Sequence, residues 1–113
     1  MGGSLGELEQ LLLLALLRRG SEASGFDLRE ELETRTGRRV LPGAVYTIME
    51  RMVTRGQVTS FTGVGTPARG GRRRKIYRLE SAGERALAAS YNRVRSMAEG
   101  LDDELRRLAE GET

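Results

Sequence analysis

The sequence of 113 residues contains no cysteine, no histidine and no tryptophan. Without cysteine there can be no disulfide, and without either metal-binding residue there can be no zinc site of thiolate or imidazole ligands. Ser-His-Asp and Cys-His catalytic systems would lack their general base. An enzyme would have to depend on carboxylate pairs or on Lys75, the single lysine, and no pattern supports a catalytic site. We therefore expect a binding protein without a cofactor or a metal.

Long hydrophobic runs are also absent. The longest run, residues 11–17 (LLLLALL), is far shorter than the roughly 20 residues that cross a bilayer. Glu7 and Glu9 precede this run and two arginines follow it, which argues against a signal peptide. The sequence predicts no membrane segment and a cytoplasmic location. A single core of this size is only marginally stable, so oligomerisation would help the chain to fold.

Acidic residues are nearly missing from one contiguous third of the chain, residues 35–78, which we call the basic segment. It holds 11 of the 19 basic residues and a single acid, Glu50, whereas the rest of the chain holds 8 basic and 15 acidic residues. A contiguous positive block is the electrostatic footprint of a protein that binds polyanions. The alternative is an ordinary solvated surface, which does not explain the exclusion of acids. The charge pattern therefore favours nucleic acid or another polyanion as the partner.

Apolar residues recur at steps of three and four, which predicts helices over residues 4–19, 24–36 and 42–55. Ser24 is a typical N-cap, and Pro42 suits the first turn of a helix. The predicted buried residues of the second and third helices are Phe26, Leu28, Leu32, Val45, Ile48, Met49, Met52 and Val53.

Two short segments, 57–61 (QVTSF) and 75–79 (KIYRL), are rich in β-branched and aromatic residues and predict a β-hairpin. The loop between them, residues 62–74, contains four glycines and one proline. Three helices followed by a hairpin are typical of a winged helix-turn-helix, in which the hairpin is the wing. The fold class is therefore predicted as mainly α with a small β-hairpin, and residues 1–80 as a DNA-binding domain.

A long final helix is predicted from Ser81, over residues 81–113. Its apolar residues are spaced 4-3-4-3-4-3, which is a heptad seam about 33 Å long. So small a core cannot cover such a seam, which predicts a homodimer; the alternative is packing on the first helix of the same chain. The predicted dimerisation residues are Leu8, Leu12, Leu87, Tyr91, Val94, Ala98, Leu101, Leu105 and Leu108.

Candidate contacts to nucleic acid lie in the predicted third helix and the wing. Arginine offers a planar fork of donors that suits phosphate oxygens. Small or hydroxylated side chains near a helix N-terminus can approach base edges or phosphates, although Tyr46 could instead pack against the second helix. The predicted DNA-binding residues are Arg38, Arg39, Gly43, Ala44, Tyr46, Thr47, Arg51, Arg69, Arg72, Arg73, Arg74 and Lys75.

Residues 6–17, 25–28, 43–46 and 70–79, with Ala82-Gly83 following, resemble the PadR-like family of bacterial transcriptional regulators. This resemblance implies a winged helix-turn-helix homodimer that binds double-stranded DNA and dimerises through its C-terminal helix. Family members usually repress promoters and respond to small molecules. The short C-terminus is similar to that of the subfamily with a single dimerisation helix.

The chain departs from the family at Ser24, Phe26 and Ile76, where members often have tyrosine. It also lacks the tryptophans with which some short members sandwich flat drugs. The candidate effector pocket, for which core packing is the alternative, consists of Leu8, Leu12, Ala15, Tyr91, Val94 and Met97. The expected function is that of a sequence-specific repressor on a pseudo-palindromic operator, released by a small-molecule effector. The alternative is a winged-helix module that binds RNA or an acidic protein.

Overall fold

A computed structural model describes residues 5–63 and 74–111, which form five helices and three short strands. In chain order these are α1 (Glu7–Arg18), β1 (Glu22–Ser24), α2 (Gly25–Thr36), α3 (Pro42–Thr54), β2 (Val58–Thr62), β3 (Lys75–Leu79), α4 (Ser81–Ala98) and α5 (Asp102–Ala109). The predicted class, mainly helical with a small sheet, is confirmed. Among these five helices, none is both long and apolar enough to cross a membrane.

Local signals set the ends of α2 and α3 where the sequence predicts them. The Ser24 hydroxyl oxygen accepts a hydrogen bond of 3.1 Å from the Asp27 backbone N–H, which caps α2. Gly37 ends α2 in the left-handed conformation, with φ of 72°. Pro42 is the first residue of α3, where its missing N–H costs nothing. These two helices and the turn between them form the helix-turn-helix unit.

The core lies where α1, α2 and α3 meet β3 and the start of α4. Its largest fully buried side chains are Tyr77, Leu12, Leu13, Leu16, Leu28, Met49, Met52, Val45 and Val58. The predicted inner face of α3 is therefore confirmed. The prediction for Phe26 is wrong, because this side chain is 45% exposed in the first turn of α2. Its ring lies 5.4 Å from the Arg74 guanidinium, on the side of the wing rather than in the core.

The sheet contains a strand that the sequence does not reveal. The predicted hairpin is confirmed, with β2 and β3 antiparallel and Val58 opposite Leu79. The additional strand β1 pairs with the other edge of β3, with Ser24 opposite Ile76, so the strand order is β1-β3-β2. Because α2 begins directly after β1, this pairing fixes the start of α2 beside the wing.

The first turn of α4 packs tightly against the start of the wing. A Cβ atom at Gly83 would collide with the Gln57 carbonyl oxygen, so glycine is required there. The same carbonyl accepts a hydrogen bond of 3.1 Å from the Glu80 N–H. Glu80 is the N-cap of α4, and Ser81, from which the sequence predicts this helix, is its first helical residue.

The prediction of one continuous C-terminal helix is wrong. Helix α4 ends at Ala98, and Gly100 adopts a φ of +85° that no right-handed helix can include. The chain continues as the short helix α5. Leu12 and Leu87 are buried in the core of their own chain, so the alternative of packing within the chain holds for these two residues. Beyond them the apolar residues are exposed; this exposed seam consists of Tyr91, Val94, Met97, Leu101, Leu105 and Leu108.

Candidate nucleic-acid interface

Helix α3 has one buried face and one face open to solvent. Val45 and Met49 lie in the core, whereas Gly43, Tyr46 and Thr47 are exposed on the opposite side and flank of the helix. Tyr46 is 54% exposed, which makes its side chain accessible to a partner. Ala44 is only partly buried and packs against the core, and Arg51 is exposed one turn beyond Thr47. The exposed face thus carries small, hydroxylated and cationic groups.

The wing reaches α3 through the first residue of β3. The Lys75 ammonium nitrogen lies 5.2 Å from the centre of the Tyr46 ring. The neighbouring Arg74 lies over Phe26 and 4.0 Å from the Asp27 carboxylate, at the start of α2. The structure therefore brings the predicted residues Tyr46, Arg74 and Lys75 together. The other predicted wing residues, Arg69, Arg72 and Arg73, lie outside the described residues.

A cleft of about 290 Å³ lies between the starts of α2 and α3 and the first residues of β3. Aromatic rings form part of its wall, and three cationic side chains stand around it. The residues that define this character are Phe26, Arg29, Tyr46, Arg74, Lys75 and Tyr77. An apolar wall with a cationic rim suits an anionic partner with flat or apolar parts.

Two predicted DNA-binding arginines, Arg38 and Arg51, have carboxylate partners from α1, as does Arg55, which the sequence does not place among the contacts. Arg38 lies 3.0 Å from Glu7. Arg51 and Arg55 lie 3.5 and 2.9 Å from the same oxygen of Glu9. These three arginine side chains remain between 39% and 51% exposed. Since the pair of Arg38 and Glu7 is exposed on both sides and such pairs contribute little, about 0–1 kcal/mol, a phosphate can replace the Glu7 carboxylate at low cost.

Glu9 fixes the C-terminal end of α3 against the start of α1. Its carboxylate is almost fully buried and also accepts a hydrogen bond of 2.9 Å from the Gly6 N–H. Burial alone would raise the pKa of Glu9, but the Gly6 N–H and the guanidiniums of Arg55 and Arg51 together hold this pKa below its ordinary value. Glu9 is therefore a buried anion that orients two arginines at the edge of the α3 surface.

Glu50, the only acid of the basic segment, joins α3 to the wing. Its Oε2 lies 2.8 Å from the Lys75 ammonium and accepts a hydrogen bond of 3.1 Å from the Tyr77 hydroxyl. Burial, and secondarily the Glu50 carboxylate, raises the pKa of Tyr77, so its hydroxyl remains a donor at neutral pH. The hydrogen bond to Glu50 also raises the pKa of Lys75. The sequence places Glu50 on the outer face of its helix but does not reveal these contacts.

The predicted effector residues belong to two different environments within one chain. Leu12 and Ala15 are buried in the core. Val94 and Met97 are 60% and 82% exposed on α4. A separate apolar groove of about 310 Å³ lies between α1 and α4, and its lining includes Leu17 as well as the predicted residue Tyr91.

The sequence model of the "Transcriptional regulator PadR-like family" matches residues 13–89. Among curated proteins, none matches the chain. The fold is similar to that of a PadR family transcription regulator from hypervirulent Clostridium difficile, with a TM-score of 0.70, 20% identity, and coverage of 88% of this chain and 99% of that one.

Two further solved structures share the fold. A PadR family transcriptional regulator from Eggerthella lenta has a TM-score of 0.67 and 26% identity over 88% of this chain and 86% of that one. Bacillus subtilis PadR in complex with operator DNA has a TM-score of 0.59 and 24% identity over 74% of this chain and 46% of that one. The family match covers well over half of the sequence, and it identifies a regulator rather than an enzyme. The chain belongs to the PadR-like family of transcriptional regulators.

Proposed function

We propose that this protein is a sequence-specific DNA-binding repressor that binds a pseudo-palindromic operator as a homodimer. The observation that carries this proposal is the contact between α3 and the wing. The exposed ring of Tyr46 lies 5.2 Å from the Lys75 ammonium, so the two elements offer one continuous surface. On such a surface α3 enters the major groove while the wing contacts the neighbouring backbone or minor groove.

Within α3, the exposed residues divide between base edges and phosphates. The methyl groups of Ala44 and Thr47 suit the thymine methyl, although Ala44 is the less accessible of the two. The Tyr46 hydroxyl is suited to a phosphate oxygen. Among the residues that the structure describes, none outside the helix's own backbone has an atom within 4 Å of a Cβ position at Gly43, so the backbone there is open to close approach by a partner.

Cationic side chains around α3 would grip the DNA backbone. Arg38 would exchange the exposed Glu7 carboxylate for a phosphate, Arg51 would contact phosphate while it stays paired with the buried Glu9, and Arg39 is exposed. In the wing, Arg74 lies beside the start of α2 and would contact phosphate, whereas Lys75 lies over the Tyr46 ring and would contribute by supporting that ring. We include Arg69, Arg72 and Arg73 in the proposed phosphate contacts on the basis of their sequence position alone.

The exposed seam supports the homodimer. Six large apolar residues on α4, α5 and the turn between them are between 44% and 82% exposed. This concentration of exposed large apolar residues favours an interaction site. In α4, Tyr91 and Val94 keep the heptad spacing, which suits the packing of a second copy against this helix, and we include Leu8 and Ala98 in the proposed interface on the basis of their sequence position. A two-fold dimer would present two copies of α3 to half-sites about 34–36 Å apart.

An effector that releases the repressor would act where the seam meets the domain that carries α3. The apolar groove between α1 and α4, lined by Leu14, Leu17, Leu87 and Tyr91 among others, is the proposed place. A small apolar molecule bound there would change the angle between α4 and α1. In a dimer joined through α4, this change would alter the spacing of the two α3 helices.

The test is a titration of labelled duplex DNA by fluorescence anisotropy, with an RNA duplex of the same sequence as the competitor. If a dimer neutralises roughly 6–10 phosphates, the affinity should fall about 10³–10⁵-fold between 50 and 200 mM salt. Arg38→Gln with Arg39→Gln should flatten this dependence, whereas Arg106→Gln with Arg107→Gln on α5 removes equal charge and should not. A flat salt response of the wild type contradicts the proposal, and equal competition by RNA favours the RNA-binding alternative.

A further inference from the structure

We infer that Glu50 is a positioning residue of the DNA-binding surface: its carboxylate keeps Lys75 over Tyr46 and withholds it from phosphate, which limits sequence-independent binding. This inference rests on the proposed function. Glu50 is the single acidic residue of the basic segment, which holds 11 basic residues.

The geometry places Glu50 between the two elements that would grip DNA. It lies on α3, one turn after Tyr46, and its Oε2 is 2.8 Å from the Lys75 ammonium of β3. The same ammonium lies 5.2 Å from the Tyr46 ring. Lys75 therefore bridges an anion and an aromatic ring that both belong to α3. Its side chain is still 39% exposed, so phosphate could reach it if Glu50 released it.

Glu50 is held more firmly than Glu7, the exposed carboxylate that pairs with Arg38. The buried Tyr77 hydroxyl donates to Oε2, the oxygen that also pairs with Lys75. Only 31% of the Glu50 side chain is exposed, compared with 82% for Glu7, the partner of Arg38. A carboxylate positioned by a buried donor loses little side-chain entropy on pairing, so this pair resists exchange with phosphate better than Arg38 and Glu7 do.

The consequence concerns binding to DNA of any sequence. Non-specific affinity comes almost entirely from cations that neutralise phosphates and release counterions. A lysine whose charge is paired within the protein contributes no such release. On an operator, Lys75 would instead hold the Tyr46 ring in position. This contribution to affinity arises only when α3 lies in the major groove. Glu50 would thus lower the affinity for duplexes of arbitrary sequence more than it lowers the affinity for the operator.

The test uses Glu50→Gln, which removes the charge but keeps an oxygen that can accept from Tyr77. Binding to a duplex of random sequence is measured between 50 and 200 mM salt. We expect roughly tenfold tighter binding per protomer near 0.1 M salt and a slope of log affinity against log salt that is steeper by about 0.9 per protomer. Thermal unfolding of the variant checks that the fold is intact. Glu80→Gln is the matched control, because Glu80 accepts from the neutral Thr59 and releases no cation.

Glu50→Gln in a Lys75→Gln background distinguishes two effects of the substitution. One is the release of Lys75 to phosphate, and the other is the loss of repulsion between the Glu50 carboxylate and phosphate. We expect Lys75→Gln alone to leave the slope close to that of the wild type, and Glu50→Gln to have no further effect on the slope in that background. If Glu50→Gln leaves the slope unchanged, or steepens it equally in both backgrounds, the inference is overturned while the proposed function stands. If wild-type binding does not depend on salt, the proposed function fails and the inference fails with it.

Discussion

The body of the protein, which we define as the described residues up to position 90, and the segment that follows it differ in how far their large apolar residues are exposed. The body has a buried apolar core, whereas the large apolar residues of the later segment are exposed. In the body Leu16 and Met49 are fully buried, and the chain covers its own core. After residue 90, Val94 and Leu108 belong to the predicted heptad spacing but are mostly exposed, as is Met97. The body therefore covers its core with its own contacts, whereas the exposed seam is apolar surface that a second copy would cover in the proposed dimer.

The boundary between these two regions lies within one helix. Leu87 is buried against the body, and the hydroxyl of buried Ser90 donates to the Gln10 side-chain carbonyl at 3.2 Å. One residue later, Tyr91 is half exposed. Helix α4 therefore connects the body rigidly to the proposed dimer surface, so the geometry of a dimer would fix the distance between two copies of α3.

The largest difference between the regions should appear in stability. Leu16→Ala removes a fully buried side chain of the body, and we expect the free energy of unfolding to fall by about 2–5 kcal/mol. The neighbouring Leu17 is 50% exposed, so Leu17→Ala should cost about 1 kcal/mol or less. Urea unfolding of both variants checks the comparison, and similar losses for the two leucines would contradict the assignment of the core.

Association should depend on the exposed seam alone. Val94→Asp with Met97→Asp places two charges on this surface, and we expect dimerisation to weaken roughly 100-fold or more because the charges would be buried without partners. Sedimentation should show the wild type at twice the chain mass of 12.5 kDa and the variant at the chain mass, with helical content retained. Asn92→Asp, an exposed polar position of α4, is the control. A wild type that remains monomeric at micromolar concentration would refute the comparison.

Within the body, Glu9 should make the free energy of unfolding fall as the pH is lowered into the acid range. Its folded-state pKa lies below the ordinary value of 4.5, so its contribution is present above pH 4.5 and is lost as the pH falls through the folded-state pKa. Glu9→Gln should remove this pH dependence and cost about 1–3 kcal/mol near pH 7, because hydrogen bonds to charged groups are lost. Urea unfolding across pH 3–7 measures both effects.

Glu7→Gln is the control for this experiment, since the Glu7 side chain is 82% exposed and should affect stability little. Equal pH profiles for the wild type and Glu9→Gln would show that the buried carboxylate has no such role.

The smallest effect should be a change in which DNA sequence the protein prefers, rather than a change in its affinity for DNA. Thr47→Ala removes a hydroxyl from the exposed face of α3, and we expect discrimination at one base position to change by about 1 kcal/mol. Selection from a pool of random duplexes would reveal the changed position. Thr54→Ala, at the last residue of the same helix, should leave the selected sequence unaltered. An identical selected sequence for Thr47→Ala removes this residue from those that read bases.

The elements that follow from local signals could be predicted from the sequence. Apolar spacing and the signals at Ser24, Gly37 and Pro42 give α2 and α3 nearly to the residue. Strand β1 could not be predicted, because three residues show no alternation and the strand forms only against the edge of β3. The heptad spacing continues through Gly100, so it gives no sign of the positive φ that separates α4 from α5.

The sequence predicts which elements carry the candidate site, a prediction that stays open, but it does not reveal the ion pairs that reduce the site's free positive charge. The sequence separates an acidic N-terminal region from the basic segment, yet the fold brings Glu7 and Glu9 onto arginines 31 to 46 residues away. Such pairs depend on tertiary packing and leave no periodic signal. The contact of Glu50 with Lys75 is hidden for the same reason. The positive charge counted along the sequence therefore overstates the charge that is available to a partner.

The most direct test of the account is hydroxyl-radical footprinting of the wild-type protein on the duplexes that it selects from a random pool. We predict two half-sites related by two-fold symmetry, with centres about 34–36 Å or one helical turn apart, each protected by one α3 and one wing. Failure to select any duplex, or protection of a single asymmetric site by one chain, would contradict the claim that the exposed seam joins two copies of one DNA-binding surface.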